Sequence, residues 1–174
     1  MHWKSIAMAL LACGLGCAPA AAQGAKPNDA QIAHIAYTAG QIDIDAAQLA
    51  LKKSKSKEVR AFAEDMLRDH KAVNEKALAL VKKLKVTPQD NDTSKSLVKQ
   101  AKDKQAELQK LDGAAFDKAY TANEVAFHKT VNGALESTLI PSAANAELKD
   151  LLGTGLKIFE GHQQHAEHVL GDLK

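Results

Sequence analysis

From Ile32 to Ala50 the apolar residues Ile32, Ile35, Ala36, Ala39, Ile42, Ala46, Leu49 and Ala50 recur three and four positions apart, the spacing that lines one face of an α-helix. Asn28 and Asp29 just ahead of them are good N-cap residues, so the pattern predicts a first helix ending near Ser54. Ser56 caps a second stripe, Val59, Phe62, Ala63, Met66, Val73, Ala77, Leu80 and Leu84, which Thr87-Pro88 interrupts; this helix is predicted to run to about Lys85. Thr93 to Leu111 is helix-prone but charged, with only Leu97, Ala101, Leu108 and Leu111 to bury, and predicts a partly exposed crossover helix. Beyond Asp112-Gly113, the residues Phe116, Tyr120, Phe127, Val131, Leu135 and Leu139 define a fourth helix. It should stop before Pro141, because proline pushes the residue ahead of it out of helical conformation. A last helix begins near Asn145 and buries Leu148, Leu152, Phe159, Ala166 and Val169.

No segment shows the β-branched alternation of a strand, and no fixed-period repeat is present. Four long helices with Ala-rich faces and one weaker crossover predict an all-α bundle joined by short loops and one long connection. A chain of 174 residues has room for one such domain, residues 28–174, behind a linker at 23–27 and a leader at 1–22. The leader has Lys4, an apolar run from Ile6 to Cys17 and the small-residue stretch Ala18-Pro19-Ala20-Ala21-Ala22. That order is a signal peptide, with cleavage expected after Ala22 and export to the periplasm. The run is too short to span a membrane stably, and no later stretch is apolar enough, so a soluble mature protein is expected. Cys13 and Cys17 leave with the leader, which removes disulfide and thiolate chemistry. Leu10-Leu11-Ala12-Cys13 carries an alternative, a lipoprotein anchored at Cys13.

The formal net charge is +2, and Lys4 supplies one of those charges. So even a balance argues against dedicated nucleic-acid binding, which needs a basic surface to displace counterions. The clusters Lys52-Lys53-Ser54-Lys55-Ser56-Lys57 and Lys82-Lys83-Leu84-Lys85 sit at predicted helix ends, where cations meet the negative end of the helix dipole.

Three segments carry a resemblance. Ala39-Gly40-Gln41-Ile42-Asp43, the stretch Val59 to His70 with its Met66-x-x-Asp69-His70 ending, and Leu111-Asp112-Gly113-Ala114-Ala115-Phe116-Asp117-Lys118-Ala119-Tyr120 resemble the signatures of an exported bacterial family catalogued as a domain of unknown function. The resemblance implies a ferritin-like four-helix bundle with an additional crossover helix, in proteins labelled periplasmic or outer-membrane. The chain departs from the family twice. Asp43 stands where Glu is common, and Leu156-Lys157-Ile158-Phe159 replaces a Leu-Pro-Thr-Leu run, removing a helix kink.

His70, His128 and His162 lie on or beside the apolar stripes of three different helices. Asp43 or Asp45 from the first helix and Glu124, one turn before His128, add carboxylates, so all four long helices offer a ligand. Such a mixture in a bundle core binds metal, and neutral imidazole suits zinc, copper or iron. The di-iron pattern needs Glu-x-x-His on two helices; here Leu67, Val125 and Phe159 occupy the positions three before each His, so that site is absent. The same histidines also fit a structural polar layer in which each imidazole is satisfied by a carboxylate or carbonyl. A second cluster, His162, His165 and His168 with Glu160 and Glu167, marks a solvated helix end where His165 and His168 could hold a metal weakly.

Little points to catalysis: there is no phosphate-binding glycine loop and no nucleophile elbow, and Glu124 with His128 at i,i+4 is the one acid–base pair to consider. The sequence therefore predicts a non-enzymatic binding or envelope-maintenance protein. The rival reading is a metal buffer or scavenger using His70, His128, His162, Asp43 and Glu124. An exposed apolar groove would favour a protein partner instead.

Overall fold

The computed structural model describes residues 26–173. The signal-peptide reading, most of the 23–27 linker and the Cys13 alternative lie outside the described residues.

Side-chain caps set where most of the helices begin. Helix α1 (Asp29–Lys53) starts at a capping box in which Asn28 Oδ1 accepts from the Gln31 N–H and the Gln31 side chain accepts from the Asn28 N–H. Ser56 caps α2 (Lys57–Leu84), Asn91 caps α3 (Asp92–Gln109), and Asn145 caps the final helix by accepting from the Leu148 N–H. Helix α4 (Gly113–Ala134) follows Asp112, whose side chain pairs with Lys53 (3.0 Å) instead of capping. Five long helices and no strand are present among the described residues. None of those helices is long and apolar enough to cross a membrane.

One boundary differs from expectation. Helix α4 does not stop before Pro141; it passes through a five-residue π-turn, Leu135–Leu139, and continues as the short α5 (Ile140–Ser142). The Ile140 N–H reaches back five residues to the Leu135 carbonyl. A widened turn of this kind is how a helix absorbs a local mismatch. Pro141 sits at the start of α5, where a missing N–H is tolerated. The final helix, α6, spans Ala146–Asp172.

Helices α1 and α2 form one antiparallel hairpin and α4 and α6 the other. Helix α3 connects them by running the length of the molecule beside α1. At its start Gln89 N–H donates to the Ala30 carbonyl, and at its end Lys53 Nζ donates to the Gln109 carbonyl (2.8 Å). The long connection makes α2 and α4 parallel. Asp29 closes the opposite end by accepting from the backbone N–H groups of Ala144 and Asn145 (2.8 and 2.9 Å).

The apolar interior falls into two clusters. One holds Val59, Phe62, Met66, Phe116, Tyr120 and Val169; the other holds Ile32, Ile35, Leu135, Leu139, Leu152 and Phe159. Between them, at mid-height of α1, α2, α4 and α6, lies a layer of buried polar side chains. In the middle of α1 Asp43, Ile44 and Ala47 are buried, whereas Ile42, Ala46 and Leu49 are half-buried and line a groove of about 570 Å³ bounded by α1, α3 and α4.

Candidate metal centre

The polar layer consists of Asp43 from α1, His70 from α2, Glu124 and His128 from α4, and His162 from α6, with exposures from 1% to 6%. All five sequence-predicted site residues therefore meet. Asp45 does not join them: it is exposed and accepts from Gln41 Nε2 (2.9 Å). The imidazole centroids of His70, His128 and His162 are 5.1 to 5.7 Å apart. One candidate ligand atom from each of these three lies within 4.8 Å of the others, and the same holds for Asp43, Glu124 and His128.

Hydrogen bonds decide which nitrogen each ring presents. His128 Nδ1 lies 3.0 Å from the Glu124 backbone carbonyl. A carbonyl only accepts, so Nδ1 carries the proton and Nε2 carries the lone pair. His162 Nε2 lies 3.1 Å from Asp69 Oδ2 and donates to it, which leaves the lone pair on Nδ1. Asp69 is itself held by the Arg68 guanidinium at 2.8 and 3.0 Å. Both lone-pair nitrogens, His128 Nε2 and His162 Nδ1, are buried without a partner. So are both nitrogens of His70, Asp43 Oδ1 and Glu124 Oε2. Within the layer the Asp43 and Glu124 carboxyls share a side-chain hydrogen bond, and His70 Nε2 lies 3.5 Å from Asp43 Oδ2. Glu124 Oε2 is 3.8 Å from His128 Nδ1, too far for a hydrogen bond, and that nitrogen is already committed to the carbonyl. The acid–base pair considered from the sequence is thus not formed directly.

Burial controls the protonation of the layer. It pushes the Asp43 carboxyl well above its usual range, with the facing Glu124 charge adding to the effect, and raises Glu124 to about 7. It lowers His70 strongly and His128 to about 4, and it lowers His162 against the opposing pull of Asp69. At neutral pH the three imidazoles are consequently uncharged, with lone pairs available to a metal.

Two residues were missed by sequence reasoning. Tyr120 was read as an apolar anchor; it is fully buried, and its hydroxyl has no hydrogen-bond partner. Its phenol is pushed well up by burial and by the Glu124 and Asp43 charges. Tyr120, Glu124, His128 and Asn132 follow one another at spacing four, so a polar stripe down α4 was there to be found. Asp69 was noted only as the neighbour of His70; it turns away from that residue and across to His162 on α6.

The second histidine cluster separates. His162 enters the buried layer, His165 stacks edge-on against Phe62 (5.2 Å) near Asp65, and exposed His168 pairs with Asp172 (3.5 Å). Among the described residues, His165 and His168 form no metal-holding group. Successive steps of three along α6 rotate these side chains from the core to solvent, and each finds its own carboxylate there.

No curated protein and no solved structure matches this chain. The sequence profile of the domain of unknown function DUF4142 does match it, over residues 16–169. That span takes in both hairpins, the crossover and every residue of the polar layer, and the chain belongs to the DUF4142 family.

Proposed function

We propose that this protein binds one transition-metal ion in the bundle core, using His70, His128 and His162 with Asp43 and Glu124. The observation that carries the reading is the pair of buried, unpartnered nitrogens His128 Nε2 and His162 Nδ1, each on a ring whose other N–H is held by a carbonyl or a carboxylate. Metal-ligating histidines are oriented in this way. A structural polar layer would satisfy its own donors and acceptors, and here His128 Nε2, His162 Nδ1 and both nitrogens of His70 are left without a partner. The charges also fit: a divalent cation that displaces the protons burial holds on Asp43 and Glu124 would be balanced by the two carboxylates, and three neutral imidazoles complete a nitrogen- and oxygen-rich set suited to zinc, copper or iron. Among the described residues no cysteine adds a softer ligand.

A buffering or scavenging role follows more naturally than catalysis, because the ligands are buried and come from four helices, α1, α2, α4 and α6. The leader supports the periplasm as the compartment, and the single long crossover between two hairpins supports a ferritin-like fold.

The test is elemental analysis of the untagged mature protein, with thermal melts before and after chelation. About one zinc, copper or iron per chain is expected. At metal concentrations a thousandfold above the dissociation constant the stabilisation is about 4 kcal/mol, or a rise in Tm of roughly 8–16 °C. His70→Ala should abolish both uptake and the chelator effect. Metal-free protein whose melt is unchanged by added zinc, copper or iron would overturn the proposal.

A further inference from the structure

On the far side of the polar layer the bundle is not filled. A cavity of about 150 Å³ lies among α1, α2, α4 and α6, walled by Ile35, Leu135, Leu139, Leu148, Leu152 and Phe159, all of them buried, with Thr93 and Leu97 of α3 on its remaining side. Its origin is in the sequence: Ala36 and Ala39 on α1, Ala77 on α2, Ala134 on α4 and Gly155 on α6 bring small residues to it from four of the five long helices. The π-turn at Leu135–Leu139 supplies two of its walls and widens α4 there.

The polar side chains in the wall are turned to other work. Asn74 Nδ2 donates to the Tyr37 carbonyl (3.4 Å), and Thr130 Oγ1 donates to the Ala126 carbonyl (3.0 Å). Thr93 is exposed and stands at the mouth. A water inside would lack the two to four polar partners that hold buried water. Protein interiors are otherwise packed to nearly crystalline density. A dry cavity of this volume lined by Leu, Ile and Phe takes up a benzene-sized guest.

We propose that this cavity is a binding site for a small, uncharged, apolar molecule, up to about one aromatic ring in size. The site is distinct from the proposed metal ligands and needs no metal to form. It touches them through Phe159, which walls the cavity and stacks face-on with the His70 ring, centroids 4.6 Å apart and planes within 4°. A guest packed against Phe159 is therefore sensed at His70.

Benzene is the probe, added to the full mature chain both chelated and metal-treated. Saturable uptake of one molecule per chain is expected in both states, with a Tm that rises and then levels off. Phenol should bind at least tenfold more weakly, because its hydroxyl has no partner in the cavity. NMR shifts of the His70 ring should move with benzene occupancy while those of His168 stay fixed. Ala134→Leu and, separately, Ala36→Leu fill the space and should abolish uptake; either folded variant suffices for the test. Non-saturable partitioning, phenol binding as tightly as benzene, or unchanged uptake in a folded filling variant would each overturn the proposal. Because benzene uptake is read with and without metal, failure of the metal reading leaves this result standing.

Discussion

Asp69 is only partly buried, and it lies outside the set of five side chains at mid-bundle, yet it fixes which nitrogen of His162 faces them. Substituting Asp69→Asn keeps the shape and removes a carboxylate that accepts from His162 and from Arg68. Metal affinity should fall about 10- to 100-fold, the range seen when outer-shell partners are lost, while the metal-free Tm changes little; calorimetric titration of wild type and variant measures this. Burial raises both carboxyls of the layer, Asp43 and Glu124, and the pH response near neutrality is set by Glu124. Its carboxyl is raised to about 7 in the native state, so below that pH a proton competes with the metal for the same oxygen. The imidazoles, held down by burial, stay neutral across the neighbouring range and add no competition of their own. The linkage has a definite sign: the metal-free native protein keeps a proton on Glu124 that the unfolded chain releases near its ordinary 4.5, so this group's contribution to metal-free stability is lost as pH rises through about 7. The gap in Tm between metal-loaded and chelated protein should thus widen from pH 6 to pH 8. A gap of constant size would show that Glu124 is not a ligand.

At the level of single helices, α4 is where pattern and structure part. Hydrophobic periodicity assigns its inner face from Phe116, Tyr120, Phe127 and Val131; Phe116 and Tyr120 are fully buried, but further along Phe127 and Val131 are half-buried while Glu124, His128 and Asn132 are buried. A stripe read from apolar residues alone rotates the helix away from its true inner face when polar residues occupy the core. The hairpin of α1 and α2 depends on a close approach at Gly40, where a Cβ would come within 2.4 Å of the buried Asn74 side chain. Gly40→Ala should destabilise by about 1–3 kcal/mol, the usual cost of overpacking, measured by urea denaturation. Lys85 ends α2 in the left-handed region (φ 54°), where glycine is the unstrained choice. Lys85→Gly should therefore raise the melting temperature slightly, by up to about 1 kcal/mol in stability terms; a lower Tm would mean that the lysine side chain does more at this cap than the backbone geometry indicates.

For the molecule as a whole, the layer of buried acids and imidazoles divides the interior in two, and the parts should respond separately. Phe62 is fully buried in the apolar cluster on one side of the layer and does not belong to the proposed ligand set. Phe62→Ala should cost about 3–5 kcal/mol of stability, yet the variant should still take up one metal per chain when folded; loss of uptake along with stability would mean that the layer is not an independent site. Much of this architecture was legible beforehand. Spacing of three and four, N-cap residues at Asn28, Ser56 and Asn145, and the charged character of residues 93–111 are local signals, because helix formation and capping are decided by neighbours within a turn. They give five helices, their approximate ends and the list of five candidate ligands. Tertiary packing alone decided the rest: that α3 runs parallel to α1, that Asp43 and not Asp45 faces inward, that Asp69 reaches His162 and not its own neighbour, and that small residues from four helices leave a cavity at one level. These depend on the rotation of each helix about its axis and on which helices adjoin. Both are settled by side chains far apart in the chain meeting at one height, a relation that no local window of sequence contains.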